Sequence, residues 1–217
     1  MSVGFGTQTK TAAFSEAQTF PLYAEEATAD VRYRAKGGNA FDIGGGARIW
    51  RNVFVGAAWS STSHRHDVDA SARLPHPFRF NDFRTVEGTR AGLQRKESGV
   101  HIQVIYRIRV AQRVRVGIHA GPSWIMADQD LAEQVTYEEQ YPYDTVAFGG
   151  ISVVNASATG RTIGFGGNVS VDLFGPVSVN FQVRRAATTV DFDTPDGGTV
   201  RAKVGGTQIV AGALVTF

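Results

Sequence analysis

The sequence predicts an all-β fold, and three observations carry that prediction. Segments in which apolar residues alternate with small or polar ones recur along the whole chain of 217 residues. The connections between these segments alternate between tight turns and long stretches. No apolar run approaches the roughly 20 residues of a membrane helix. Strands with one apolar and one small or polar face, joined in this way, are typical of an antiparallel up-and-down transmembrane β-barrel.

The first strands come from the amino-terminal part of the chain. Ser2 to Phe14 supplies the first one. Phe41 to Trp50 places mainly apolar residues on one face and Asp42, glycine and arginine on the other, because successive side chains of a strand point to opposite faces. The Arg51-Asn52 turn then leads into Val53 to Ser61, which alternates in the same way.

Two further hairpins and a terminal strand complete the pattern. They are Val100 to Arg109 with Val114 to Trp124, Ile163 to Leu173 with Val177 to Arg184, and Val200 to Phe217. The total is about eight strands, an even number, as bacterial single-chain barrels have. We therefore expect residues 1–217 to form a single barrel domain.

The connections predict the orientation of the barrel. Tight turns are expected on the periplasmic side and long extracellular loops on the other side, which is the usual polarity of outer-membrane barrels. The long connections are Ser15 to Ala27, Asp67 to Gly92 and Asp128 to Gly160, with a shorter one at Pro195 to Gly198. Because some alternation continues beyond membrane-sized segments, we also expect strands that protrude from the outer leaflet and a bulge near Gly37-Gly38.

Composition narrows the possible functions. The net charge of +2 and the absence of a Lys/Arg run argue against nucleic-acid binding. With no cysteine, the chain has no disulfide or thiol chemistry. A soluble lipocalin-like barrel would expose a face rich in Lys and Glu, whereas the polar face here consists of Gly, Ser, Asn, Gln, Arg and His. This composition favours the membrane barrel.

With its strand count, loop polarity and terminal Phe217, the chain resembles the small eight-stranded bacterial outer-membrane proteins, such as the OmpA transmembrane domain, OmpX and OmpW. The resemblance implies a location in the bacterial outer membrane, with outer-membrane lipid and lipopolysaccharide as partners. It also implies that the barrel-assembly machinery recognises Phe217 as an assembly signal. Ser2 to Phe5 already alternates, so we expect the export signal to have been removed before this segment.

The small or polar face supplies the main candidate site, a polar network inside the barrel. Its members are Asp42, Arg48, His101, Arg107, Arg115, His119, Asn168, Asp172 and Arg184. Charges enclosed by eight strands must pair or meet water. Arg115 and Asp172 lie on neighbouring strands near short turns, so an ion pair is expected there. The network could form a plug, which we favour, or the filter of a narrow anion-attracting pore.

Two pairs of histidines are candidates for metal or pH-sensitive sites. His101 and His119 flank one hairpin and could be cross-strand neighbours, and His64 and His66 could share a face. On a hydrated interior face or an exposed strand such residues are usually only solvated. We therefore expect no metal and no cofactor.

Aromatic residues suggest two further surfaces. Trp59, Tyr106 and Trp124 lie on the lipid-facing parity and are candidates for an aromatic girdle at the membrane interface. Phe78, Arg79, Phe80 and Phe83 interleave aromatic rings with arginine in a long loop. They could bind an extracellular ligand, such as a glycan, a lipopolysaccharide phosphate or a protein, or pack the loop onto the strands.

The expected function is that of a non-enzymatic outer-membrane barrel with an ion-paired, largely occluded interior and surface loops for structural or recognition roles. A narrow passive channel for small anionic or amphiphilic solutes is the alternative. An outer-membrane lipid hydrolase is less favoured, because parity places Ser60 and His64 on the interior face, away from lipid.

Overall fold

The computed structural model describes residues 1–9, 13–34, 36–194 and 198–216. The strands are β1 (Ser2–Gln8), β2 (Phe14–Leu22), β3 (Glu25–Tyr33), β4 (Gly38–Trp50), β5 (Val53–His76), β6 (Arg79–Ala111), β7 (Val114–Glu139), β8 (Val146–Phe174), β9 (Val177–Asp193) and β10 (Thr199–Val215). Within these ranges, no helix is long and apolar enough to cross a membrane. The prediction of an all-β antiparallel fold is confirmed.

Eight of the strands form a closed ring of hydrogen bonds. The ring runs β5-β4-β1-β10-β9-β8-β7-β6, and pairing between β5 and β6 closes it. The β2–β3 hairpin is not one of these eight strands, and it joins the ring through the pairing of β3 with β5. Tight turns at 51–52, 112–113 and 175–176 define one end of the molecule, which we call the turn end. The opposite end, where the longest hairpins finish, is the hairpin end.

The bulge expected near Gly37-Gly38 falls beside a position outside the described residues, between β3 and β4. Tyr33 pairs with Val68 and Asn39 with Ser63, both on β5. Between these two pairs, the residue number changes by six on the β3–β4 side and by five on β5.

The prediction that the three longest connections are loops is wrong, because most of their residues lie in strands. Ser15 to Ala27 belongs largely to β2 and β3, Asp67 to Gly92 to β5 and β6, and Asp128 to Gly160 to β7 and β8. These segments are long hairpins that extend the ring. They look like loops in the sequence because their outward residues are polar, but their inward residues are small and apolar.

The two faces of the sheet exchange polarity along the strands. On β5, the outward residues change from Val55 and Trp59 near the turn end to Arg65 and Asp69 further along. Near the hairpin end, the inward residues of β5 are Val68, Ala70, Ala72 and Leu74, all buried. They join a core that also contains Tyr33, Leu131, Ile151, Phe192 and Val204. The ring is thus apolar outside at one end and apolar inside at the other.

The outer face near the turn end carries an apolar band. Its large exposed side chains include Phe5, Val100, Ile102, Val104, Ile108, Ile118, Ile163, Phe165, Val169, Leu173, Phe181, Val183 and Ile209. Trp59 and Trp124 lie in one register row through Val100, whereas Tyr106 pairs with Val53 beside the turn end. The three girdle candidates therefore occupy two different heights, not one belt.

Trp50 also lies on this outer face, although the alternation of β4 predicts the inner face for it. An irregularity between Arg48 and Trp50 shifts the register of β4 against β5. Since a bulge re-aims the side chains that follow it, Trp50 is 65% exposed at the turn end although its number suggests the inner face.

Candidate functional site: the interior of the ring

An ion-pair cluster lies inside the ring at the turn end. Arg115 on β7 donates to Asp172 on β8, and its Nη2 also donates to Ser178 Oγ on β9 at 2.8 Å. Ser178 Oγ donates to Asp172 Oδ1 at 2.8 Å, while Arg109 Nη2 lies 4.0 Å from Asp172 Oδ2. The structure thus contains the ion pair that adjacent strands suggested, bridged by a hydroxyl from a third strand.

A second ion pair crosses the interior further along the ring. Asp42 on β4 accepts from Arg184 on β9, although two strands, β1 and β10, separate them in the ring. Both residues are buried, with exposures of 4% and 3%. Arg184 Nη2 also donates to Gln208 Oε1 at 2.6 Å. Two predicted members of the network therefore meet across the ring.

This ion pair begins a continuous chain of polar contacts. Gln208 Nε2 donates to Gln8 Oε1 at 2.9 Å, and Gln8 Nε2 donates to Glu97 Oε2 at 2.8 Å. Glu97 pairs with Arg95, whose Nη1 donates to Gln129 Oε1 at 2.8 Å. Gly205 N donates to Glu97 Oε2 at 2.9 Å. The chain joins the polar interior of the turn end to the apolar core of the hairpin end.

Sequence reasoning did not select Gln8, Arg95, Glu97, Gln129 or Gln208 as site residues. The signal for Arg95 and Glu97 was present, because both share the inward parity of His101 on β6. The sequence pattern does not select them, because the long connection expected over Asp67 to Gly92 places the start of the predicted strand at Val100.

His101 sits between two hydroxyl groups. Its Nε2 lies 3.0 Å from Ser60 Oγ and its Nδ1 lies 2.8 Å from Ser123 Oγ. The possible pairing of His101 with His119 is not present: in the register, His101 lies opposite Ser123 and His119 lies opposite Ile105. His119 is buried elsewhere on the inner face. The two rings therefore do not make a cross-strand pair.

The remaining predicted members lie near the turn end. Arg107 places its guanidinium 5.0 Å from the ring centroid of Phe54, and Asn168 Nδ2 donates to Asn180 Oδ1 at 2.8 Å. Arg48 lies at the mouth of the ring and is exposed, so it does not belong to the buried network. Its position beside the register irregularity and the turn explains this exposure.

A small cavity lies in the interior of the ring. The cavity beside Gln8, Ser60, Glu97 and His101 has about 10 Å³ for the centre of a water molecule, which is about enough for one water. The side chains around this cavity therefore leave room for about one water molecule.

Histidines beyond the polar interior are not arranged as metal ligands. The rings of His64 and His66 are 6.4 Å apart, and His66 is 3% exposed. Burial lowers the pKa of His66 to about 4, and His64 and Arg95 act in the same direction. Among the described residues, no group of three or more His, Asp or Glu side chains could hold a metal ion.

The proposed recognition residues lie at the hairpin end. Phe78 is in the turn between β5 and β6, and Phe80 lies just inside β6, with exposures of 73% and 76%. Arg79 is paired with Asp144, and Phe83 packs under the guanidinium of Arg73 at 4.0 Å. Phe83 is therefore occupied within the chain. The proposed assembly signal, Phe217, lies outside the described residues.

Comparisons with known proteins add a structural similarity to this description. No protein-family model matches the chain, and no curated protein matches it. A structure search matches the crystal structure of Neisserial surface protein A (NspA), with 15% sequence identity and a TM-score of 0.43 over 100% of this chain and 96% of that one. A similarity at this level carries no statement about function.

Proposed function

We propose that this protein is a non-enzymatic β-barrel of the bacterial outer membrane, with an occluded polar interior and a rigid structure projecting from the surface. The exchange of polarity between the two faces is the single observation that carries the proposal. A soluble barrel has no reason to expose Ile102, Val104 and Ile163 on one half of its surface while burying apolar residues inside the other half.

The apolar band has the height that a membrane requires. It runs from Val100 to Ile108 on β6 and from Ile163 to Leu173 on β8, and a tilted membrane strand needs roughly 9–11 residues. The ring closes through the pairing of β5 with β6, so within the band these neighbouring strands pair their backbone groups. That condition is what allows a sheet to cross a lipid bilayer.

Basic residues mark the edge of the band that faces the hairpin end. Arg161 and Arg185 each lie one outward position beyond the apolar residues Ile163 and Val183, and Lys96 lies at a similar place on β6. All three are exposed, and none belongs to an ion pair within the described part of the chain. Their positions suit the phosphates of outer-leaflet lipid and lipopolysaccharide, which we propose as partners.

The polar chain from Asp42 to Gln129 supports an occluded interior over a narrow channel. A channel for anions would need free cationic groups beside a water path. Arg95, Arg115 and Arg184 are instead held by Glu97, Asp172 and Asp42.

The contacts of His101 support a non-enzymatic role. A serine nucleophile needs a base that a third group orients, usually a carboxylate. Here the group on the far side of His101 is the hydroxyl of Ser123, and Ser60 and His101 are 2% and 4% exposed. A lipid substrate in the membrane would not reach this pair.

The proposal is tested by folding the protein into lipid vesicles and recording current across a planar bilayer. We expect a heat-modifiable band on gels, protection of the apolar band from aqueous quenchers, and no discrete current steps. A variant with Arg184→Ala and Gln208→Ala serves as the matched control, because it removes two side chains of the plug and should raise the frequency of current steps.

Either of two results would contradict the proposal. Discrete anion-selective steps from the unmodified protein would make it a channel. Failure to insert, with tryptophan fluorescence unchanged by lipid-confined quenchers, would show that the apolar band does not face lipid.

A further inference from the structure

The hairpin end carries a group of aromatic rings, three of which are in contact. Phe78 and Tyr143 meet edge to face with centroids 5.5 Å apart, and Tyr141 meets Tyr143 in the same way at 6.0 Å. Phe78, Phe80 and Tyr141 remain 73%, 76% and 78% exposed. We call Phe78, Phe80, Tyr141 and Tyr143 the aromatic tip. Exposed apolar groups gathered in this way mark interaction surfaces more often than isolated ones do.

The aromatic tip is held by a network that joins two hairpins. The buried Arg84 donates from Nη1 to Tyr143 O at 3.0 Å and from Nη2 to Pro75 O at 2.7 Å. It also forms an ion pair with Glu139. Arg84 thereby connects the turn of the β5–β6 hairpin to that of the β7–β8 hairpin, so the rings are positioned before any partner arrives.

The β2–β3 hairpin joins the same network. Tyr23 donates its hydroxyl to Glu139, and Glu25 Oε1 accepts from Asn81 N at 3.0 Å. The hydrogen bond to Glu139 raises the pKa of Tyr23 to about 12, so the phenol stays neutral and keeps donating. Three hairpin ends are thus fixed against one another, which lowers the ordering cost of binding.

The charge around the aromatic tip is negative. Residues 20–27, 75–85 and 137–147 contain six carboxylates and two arginines, a net charge of −4. Both arginines are used within the chain, Arg79 by Asp82 and Asp144 and Arg84 by Glu139. Burial lowers the pKa of His76, so this residue adds no positive charge near neutral pH. The aromatic tip therefore repels anionic groups such as lipopolysaccharide phosphate.

We propose that the aromatic tip docks a cationic protein segment rich in arginine or lysine. Exposed ring faces attract guanidinium and ammonium groups through their quadrupoles. The surrounding carboxylates, Glu26 and Glu138 among them, attract the same charges over a longer range. Neither a neutral glycan nor an anionic lipid uses both features, whereas a basic segment uses both.

The position of the aromatic tip fits an external partner. From Ser61 to His76, β5 extends about 50 Å along the strand at ~3.3 Å per residue. This distance places the rings well beyond the edge of the apolar band. The inference rests on the proposed function, since only a protein inserted in the outer membrane directs this end outward.

The test measures the anisotropy of a labelled peptide of alternating arginine and glycine, titrated with the full chain folded in vesicles. We expect saturable binding that weakens at high salt. The variant with Phe78→Ala and Tyr141→Ala should weaken binding about tenfold, which is the size of two exposed cation–π contacts. Glu26→Gln with Glu138→Gln should weaken it by a similar factor. Phe78→Leu keeps apolar area without an aromatic face, so it should weaken binding as well.

Glu133→Gln is the matched control, because Glu133 is exposed on β7 outside the aromatic tip and should not alter the affinity. Equal binding of a glutamate–glycine peptide, or no loss of affinity in the aromatic variants, would overturn the inference. So would preferential binding of neutral dextran. A protein that inserts and stays electrically silent but does not bind the arginine peptide refutes this inference alone. A protein that binds the peptide but does not insert refutes the membrane proposal alone.

Discussion

Removing the carboxylate of Asp42 is the sharpest perturbation of the occluded interior. Asp42 and Arg184 are both nearly inaccessible, and their ion pair joins strands that are not neighbours in the ring. Breaking a buried pair by deleting one partner costs about 3–5 kcal/mol, because the other charge stays buried without compensation. Gln208 still accepts one hydrogen bond from Arg184 in the variant. We therefore expect Asp42→Ala to lower the free energy of unfolding by about 3 kcal/mol, the lower end of that range.

The double variant with Asp42→Ala and Arg184→Met tests whether the cost of Asp42→Ala comes from leaving the charge of Arg184 unpaired. Replacing a whole buried ion pair by apolar residues is often neutral or even stabilising. The double variant should therefore unfold at a higher urea concentration than Asp42→Ala alone. If the two side chains did not interact, the second substitution would lower the free energy of unfolding further. The comparison therefore measures the coupling between Asp42 and Arg184.

Urea titration of the vesicle-bound protein, followed by tryptophan fluorescence and gel mobility, provides the measurement. Asp191→Asn is the control, because the Arg201–Asp191 pair has side-chain exposures of 75% and 46%. Exposed pairs of this kind contribute little to stability, so its unfolding midpoint should not move. If Asp42→Ala unfolds at the same urea concentration as the unmodified protein, Asp42 is hydrated and the occluded interior is refuted.

Three further variants test separate features. Gly205→Ala should destabilise by about 2 kcal/mol or more, since φ is +77° there; Gly45→Ala, in open space, is its control, and equal melting temperatures would contradict the argument. Tyr33→Phe leaves the buried Ala132 N–H without its 2.7 Å acceptor and should cost about 1–3 kcal/mol in urea titration. The unfolded chain protonates His66 near pH 6.5 and the folded chain only at about pH 4, so the free energy of unfolding should fall as pH drops between these values. His66→Gln should flatten that slope in unfolding titrations at several pH values, and an unchanged slope would assign it to other groups.

The apolar band near the turn end could be predicted because it depends only on the alternation of side chains within each strand. Within the band, the side chains of β5 and β6 alternate strictly, so the number of a residue fixes its face there, and Val55, Ile102 and Val104 point outward as parity requires. The Arg115–Asp172 pair followed from strand adjacency. The Asp42–Arg184 pair did not, because it depends on the register accumulated across β1 and β10, which no local pattern records.

The sequence pattern predicts protruding strands but underestimates their length, for a related reason. The apolar-out, polar-in pattern of the band reverses beyond it, which is the change expected where a strand leaves lipid for water under the proposed function. Val68, Ala70, Ala72 and Leu74 alternate with Asp69, Ser71 and Arg73 as regularly as any membrane strand, but with the apolar residues inside. A pattern search that allowed the polarity to invert would have followed β5 through to His76.

Because the extension of β5 and β6 buries apolar residues inside, it should also resist proteolysis. A polar loop would offer trypsin Arg65, Arg73 and Arg90, all on the surface side of the apolar band. In the structure each lies within β5 or β6, whose backbones are paired with each other and whose inner faces pack in the apolar core. Cleavage there requires local unfolding of the hairpin, which carries a free-energy cost that flexible loops do not have.

We therefore expect vesicle-inserted protein to resist trypsin at these arginines, and mass spectrometry of the digest would detect the fragments. Leu74→Asp provides the comparison, since it places a charge in the buried core of the extension while leaving the apolar band intact. That variant should become sensitive at Arg65, Arg73 and Arg90 while keeping its heat-modifiable mobility. Rapid cleavage of the unmodified protein at Arg73 would mean that the extension is a loop, and that the reversed alternation does not build a core.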